Sequence, residues 1–326
     1  MPDSIQGVLN APQHDLPWLK QALQWAVELE LFTIPPYLTA LWSIRDESHA
    51  VAATIREVVY EEMEHLATVC NLLAALGATP RLASPAAAPK YPGPMPGGVK
   101  PELTIRLSRL SSESLRAFME LEAPEFPLGL EAVETFPRIG AFYSAIQDAL
   151  ERVQPPLSMD RQLAGPGTKS VGASVAKAIA AIEKIKSQGE GTTQTAADGD
   201  DEDLAHYYRF AEVQHGQKLV KSPHDGKWRY AGERIEFPAV WPVAVVPKGG
   251  YVQSAVSPEV WQGLTQFDAA FSRLLRLLES AWEHNRPADL GESIDVMYSL
   301  RDLALPLMQT PIPGSAENYG PCFRIV

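Results

Sequence analysis

Two Glu-x-x-His quartets, Glu62-Met63-Glu64-His65 and Glu212-Val213-Gln214-His215, constrain this chain more than any other feature. In a helix, residues three apart lie on one face, about 60° from each other. Each quartet therefore presents a carboxylate and an imidazole side by side. Two such pairs, joined by one inward Glu from each of two further helices, form the ligand pattern of a carboxylate-bridged pair of metal ions.

Helical phase identifies the remaining ligands. In a helix over residues 50–76, Ile55, Val58, Glu62, His65, Val69 and Leu72 follow steps of three and four. Glu62 and His65 thus sit in an apolar row, while Glu57, Glu61 and Glu64 fall with Thr68 and Asn71 on the polar side. In a helix over 16–47, the row is Leu19, Leu23, Ala26, Glu30, Thr33 and Tyr37. Glu28 lies about 200° from Glu30 and is predicted to face outward. Leu115, Phe118 and Glu122 share a face in a third helix, with Glu120 outside. In a fourth, over 203–220, Ala205, Tyr208, Glu212, His215 and Leu219 line up. His206, part of the near-miss Asp203-x-x-His206, is about half a turn around from His215 and is expected to face elsewhere. Hairpin arithmetic agrees for the first pair: Glu30 precedes a turn near residue 47 by about as many residues as the Glu62/His65 pair follows it, so antiparallel helices bring them level.

The predicted metal ligands are therefore Glu30, Glu62, His65, Glu122, Glu212 and His215. Carboxylate oxygens with imidazole nitrogens suit two iron ions, or manganese, or a mixed pair. Without cations, four buried carboxylates would repel one another and take up protons. Tyr37, two turns from Glu30, and Glu122 are the predicted catalytic groups. The competing reading leaves the acids in partly solvated salt bridges, with the histidines as satisfied core groups.

The rest of the sequence limits the function classes. A net charge of −12 argues against nucleic acid as a partner, because phosphate binding needs clustered Lys and Arg. No apolar stretch of about 18 residues suggests a membrane span, and residues 1–15 lack the pattern of a signal peptide. A cytoplasmic location is expected, and a homo-oligomer is an open option. Two cysteines, Cys70 and Cys322, fit a reduced protein, and Cys70 reads as a buried, inert thiol.

Pro35-Pro36 should bend or break the first helix. Gly77 should cap the second. Residues 78–103, rich in Pro, Gly and Ala, read as a crossover loop. Residues 226–252 read as a short extended or β strap, followed by helices over about 257–285 and 288–308 and an extended tail at 311–326. Residues 187–203 lack large apolar groups and end in an acidic run, so they are predicted to be a mobile, dispensable insertion.

The stretches WAVELELFTIPPYLTALWSI (25–44), EEMEHLATVCNLLAALGATPRL (61–82), FMELEAPEFP (118–127), IGAFYSAIQDAL (139–150) and HYYRFAEVQHGQKLV (206–220) resemble the ferritin-like domain of bacterial iminophenyl-pyruvate dimer synthase-type proteins. The resemblance spans roughly residues 12–310. It implies a single elaborated ferritin-like domain and places the same six residues on the ligand positions. The best-known members are longer chains that couple two imines derived from aromatic amino acids, and this chain carries the ferritin-like part.

The fold expected is mainly α: a ferritin-like four-helix bundle (helices about 16–47, 50–76, 111–153 and 203–220) with a long crossover and extra C-terminal helices. The expected function is that of a non-haem di-iron or di-manganese oxidoreductase that uses O2 on a small organic metabolite, in secondary metabolism. A non-catalytic metal-binding or accessory protein, and oxidative coupling of aromatic imines, are the alternatives.

Overall fold

The first hairpin forms where its periodicity places it. Helix α2 (Leu16–Ser43) follows a short α1 (Ile5–Leu9), and α3 (Ala50–Ala75) follows after a brief turn. The Asp15 side chain accepts from Trp18 N at 3.0 Å and caps α2. Gly77, at φ 74°, ends α3, with Ala78 N donating to Leu73 O at 3.1 Å. The computed structural model describes residues 4–84, 87–124, 139–190, 196 and 203–326.

Most of α2 is buried, which makes it the central helix. The proline pair does not end it. Pro36 has no N–H to give Phe32 O, and that carbonyl accepts the Tyr91 hydroxyl instead at 2.6 Å. The Tyr91 ring also stacks on Phe32, with centroids 4.9 Å apart. Tyr91 belongs to the 78–103 loop, so that loop repairs the helix it crosses. Residues Met95, Val99, Leu103 and Ile105 bury the loop against the core, and two short strands, β1 (Gly93–Pro94) and β2 (Thr104–Ile105), pair antiparallel.

The second half of the bundle is interrupted. Its third rod consists of α4 (Ser112–Leu121) and α5 (Ile139–Val153), and its fourth of α6 (Val175–Glu190) and α7 (His206–His215). Helix α4 packs on α7, and α5 packs on α6 and α2. The fourth helix was expected to run to residue 220. It stops at His215 because Gly216 adopts a left-handed conformation, φ 68° and ψ 23°. The chain then enters β3 (Gln217–Lys221), which pairs antiparallel with β4 (Trp228–Arg234).

The predicted mobile insertion also needs correction at its start. Residues 187–190 belong to α6, and Gln188 is buried. Ala196 is buried too, and its carbonyl accepts from Ala205 N at 3.0 Å. Deletion of 187–203 therefore removes the packed end of α6 and the buried Ala196. The rest of that insertion, 191–195 and 197–202, lies outside the described residues.

Helices α8 (Pro258–Glu283) and α9 (Pro287–Gln309) form a hairpin against α2 and α3. The tail is extended and supplies core: Phe323 lies among Trp42, Phe267 and Phe271. Among the described residues, no helix is long and apolar enough to cross a membrane. Cys70 and Cys322 are both free and buried. Burial pushes the Cys70 thiol well above its ordinary pKa, which keeps it unreactive.

Asn71 joins these layers. Sequence phase placed it on the polar side of α3, yet it is fully buried. Its amide donates to Leu163 O (2.9 Å) and Lys169 O (3.0 Å), and its Oδ1 accepts from Leu163 N (2.8 Å) and Trp282 Nε1 (2.9 Å). Asn71→Ala leaves three buried polar groups, Leu163 N, Leu163 O and Trp282 Nε1, and the part-buried Lys169 O without this partner. The expected loss is about 3 kcal/mol or more in denaturant unfolding. A loss below about 1 kcal/mol would show that water replaces the amide.

Candidate metal centre

The C-terminal end of α4 and the first turn of α7 meet the first hairpin at one level, and there the acids converge. Helix α2 supplies Glu30, Thr33 and Tyr37, and α3 supplies Glu62 and His65. Glu122 is the C-cap of α4, and His206 is the first residue of α7. Glu30, Glu62, His65, Glu122 and His206 are all buried. They form two groups whose ligand atoms lie within 4.8 Å of one another: Glu30, Glu62 and His65, and Glu62, Glu122 and His206. Glu62 belongs to both.

The two imidazoles are oriented alike. His206 Nε2 donates to Glu61 Oε2 at 2.8 Å, and Glu61 also accepts from Arg209 Nη1 at 2.9 Å. His206 Nδ1 then points at Glu62 Oε1, 2.8 Å away, but the geometry makes no hydrogen bond. His65 Nε2 donates to Gln188 Oε1 at 2.9 Å. Its Nδ1 faces Glu30 Oε2 at 3.6 Å and Glu62 Oε1 at 3.7 Å, too far for hydrogen bonds. In both rings the outer nitrogen is committed to an oxygen and the inner one has only carboxylates before it. An outer N–H held this way fixes the tautomer in which Nδ1 can bind a metal.

Each remaining carboxylate has a hydroxyl partner. Tyr37 donates to Glu122 Oε1, Tyr143 to Glu30 Oε1, and Thr33 to Glu62 Oε2 at 2.5 Å. Burial raises Glu122 to about 8, with the Glu62 charge adding to the effect. Burial likewise raises Glu30. Burial opposes the ionised form of Glu62 too, but contacts with His206 and His65 outweigh it and hold Glu62 well below the usual range. For His206, burial opposes the charged ring, and Glu61 and Glu62 overcome it, to about 9. His65 is raised in the same way by Glu30 and Glu62. The metal-free cluster therefore holds its own positive charge, as protons, where cations would otherwise sit.

The donor set fits divalent metals: three carboxylates, two imidazoles, a shared Glu62 and an orphaned ring nitrogen. A cavity of about 30 Å³ adjoins them, lined by Glu30, Glu62, His65, Glu122, Tyr143 and Gly189 among others. That is room for ions or a water or two.

Four of the six predicted ligands, Glu30, Glu62, His65 and Glu122, come together here, with Tyr37. Glu212 and His215 do not. Glu212 Oε1 accepts from Leu219 N at 2.7 Å and Oε2 from Lys218 Nζ at 2.8 Å, which ties α7 to β3. His215 is exposed and stacks on Tyr230, with centroids 4.0 Å apart. The row Ala205, Tyr208, Leu219 is real, but it faces a satellite core formed with Ala196, Trp228 and Tyr230. The opposite face, with Phe210 and Val213, belongs to the main core. His206 was set aside in the sequence, and Glu61 was assigned to the polar side; together they complete this site. A second apolar row at steps of four and three, His206, Phe210 and Val213, was the available signal. A helix with apolar rows on two sides is buried on both. Glu120 is exposed as predicted, and Glu28 is half-buried beside Gln24.

A family model described as ferritin-like matches residues 23–215. A ferritin-like protein from Caulobacter vibrioides, solved as a crystal structure, is similar at a TM-score of 0.64 and 23% identity, covering 95% of this chain and 100% of that one. No curated protein matches the sequence.

Proposed function

This chain belongs to the ferritin-like family, and on that premise we propose that it is a di-metal carboxylate oxidoreductase that uses O2 on a small organic metabolite. The observation that carries the reading is Glu62. It is shared by two clusters, each with one further Glu and one His whose inner nitrogen is free of hydrogen bonds. A bound pair of iron or manganese ions would supply the redox chemistry with O2.

The residues of the chain set the terms of that chemistry. Glu30 with His65, and Glu122 with His206, would hold one ion each, and Glu62 would contact both. The hydroxyls of Tyr37 and Tyr143 donate to Glu122 and Glu30 and fix their orientation. The resemblance to iminophenyl-pyruvate dimer synthase-type proteins makes coupling of aromatic imines the narrower form of the proposal, with the same metal pair.

Anaerobic loading with Fe(II), followed by O2, tests the reading. The loaded wild type should develop near-ultraviolet absorption within minutes. Tyr37→Phe should keep its iron but react about tenfold more slowly, because Glu122 loses its proton partner. A loaded wild type that is inert to O2 would instead support a metal-binding protein without turnover.

A further inference from the structure

The 30 Å³ cavity beside the carboxylates is too small for an organic molecule. A second cavity of about 580 Å³ lies on the other side of one wall. It opens between α3, the 157–174 segment and α6. His65 and Ile185 line both cavities, and Gln188, bonded to His65 Nε2, lines the larger one.

Its charge runs against that of the whole chain. The net charge is −12, yet this cavity is lined by Lys169, Lys177 and Lys184 against one acid, Glu64. The three lysines have no ion pair among the described residues, whereas Lys186 on the same helix is held by Glu183 at 3.3 Å. The cavity is also built rather than incidental. Asn71 holds Lys169 O from the core. Gln162 accepts from Ser170 Oγ (2.7 Å) and Val171 N (2.8 Å) and donates to Gly172 O (2.7 Å), which fixes the wall carrying Lys169. Val171, Ala181 and Ile185 line the same cavity and offer an apolar surface.

We infer that this vestibule binds an organic anion, with its charged end at Lys169, Lys177 and Lys184 and its apolar body against Val171, Ala181 and Ile185, next to the metal centre. The volume is in the range of small-molecule sites and far exceeds what inorganic phosphate needs. Cations lining a cleft also raise the local concentration of an anion and speed its capture. The inference rests on the proposed function only in calling this anion the substrate; the binding itself does not require metal.

Ligand-observed NMR on the full-length, metal-free chain separates the two. Benzoate is the probe, with benzamide as its neutral counterpart and inorganic phosphate as the purely ionic one. Benzoate should bind at least fivefold more tightly than benzamide and more tightly than phosphate. The triple variant Lys169→Gln, Lys177→Gln, Lys184→Gln should lose that preference, while benzamide binding and metal stoichiometry stay unchanged. Equal binding of benzoate and benzamide by wild type, or an unchanged preference in the triple variant, overturns the vestibule. Phosphate competing as well as benzoate would show simple ion pairing and overturn the organic-anion assignment. A wild type that prefers benzoate but binds no metal would instead count against the proposed function alone. Ile185→Trp, which fills the apolar side, should weaken benzoate about as much and provides a check if the triple variant folds poorly.

Discussion

Replacing His206 by Ala should remove about half of the bound metal, and replacing His215 by Ala should remove none. His206 Nδ1 is a buried nitrogen with no hydrogen bond, aimed at Glu62 and Glu122. His215 is exposed and stacked on Tyr230. Elemental analysis after reconstitution reads the difference directly, with about two ions per chain in wild type. Glu62→Ala should lose both ions, because Glu62 contributes to both clusters. Glu61→Ala keeps every proposed ligand but frees the His206 ring, and outer partners of this kind are worth about 10–100-fold in affinity. A His215→Ala variant that loses metal would show that α7 turns its other face to the site. Full occupancy in His206→Ala would remove His206 from the ligand set.

The contrast between these two histidines shows where sequence reasoning works in this fold. Helices α2 and α3 are long, continuous and joined by a short turn. Phase and hairpin level therefore fixed Glu30, Glu62 and His65 without tertiary knowledge. Glu122 was also legible, although it is the C-cap of α4 rather than a mid-helix residue. The fourth helix failed the same treatment because α7 is buried on two faces against two cores. The second imidazole comes from its first residue, His206, and not from a Glu-x-x-His repeat. The apolar row through Glu212 was correctly periodic, but periodicity reports burial and not which core does the burying. The β3–β4 hairpin adds a second core that nothing in the spacing of α7 announces. The Tyr91 contact that carries α2 across Pro35-Pro36 was equally hidden, since its sequence separation from Phe32 is long.

The charge arrangement of the centre leads to the second large effect. Without metal, unfolding stability should fall as pH rises from about 6.5 to about 9, and metal should abolish that fall. His206 is raised to about 9 in the folded chain, from an ordinary 6.5. Its proton therefore contributes stability that is fully present below about 6.5 and is lost as pH rises through about 9. Glu122, raised to about 8 from 4.5, has the same sign: its contribution is present below 4.5 and disappears as pH rises through about 8. His65 and Glu30 are raised and act in the same direction. Glu62 is depressed, so its contribution is lost on acidification below its ordinary value of 4.5, outside this window. Between pH 6.5 and 9 the loss should be on the order of 1 kcal/mol per pH unit for each proton released. Metal ions take the places of these protons, so binding should release protons into unbuffered solution and leave the loaded protein nearly flat over the same range. Denaturant unfolding of both forms at pH 6.5, 7.5 and 9 gives the two slopes. His206→Gln should reduce the metal-free slope, because one of the titrating groups is gone. Parallel slopes with and without metal would mean that the ions bind elsewhere and that the carboxylates and imidazoles of this cluster balance one another alone.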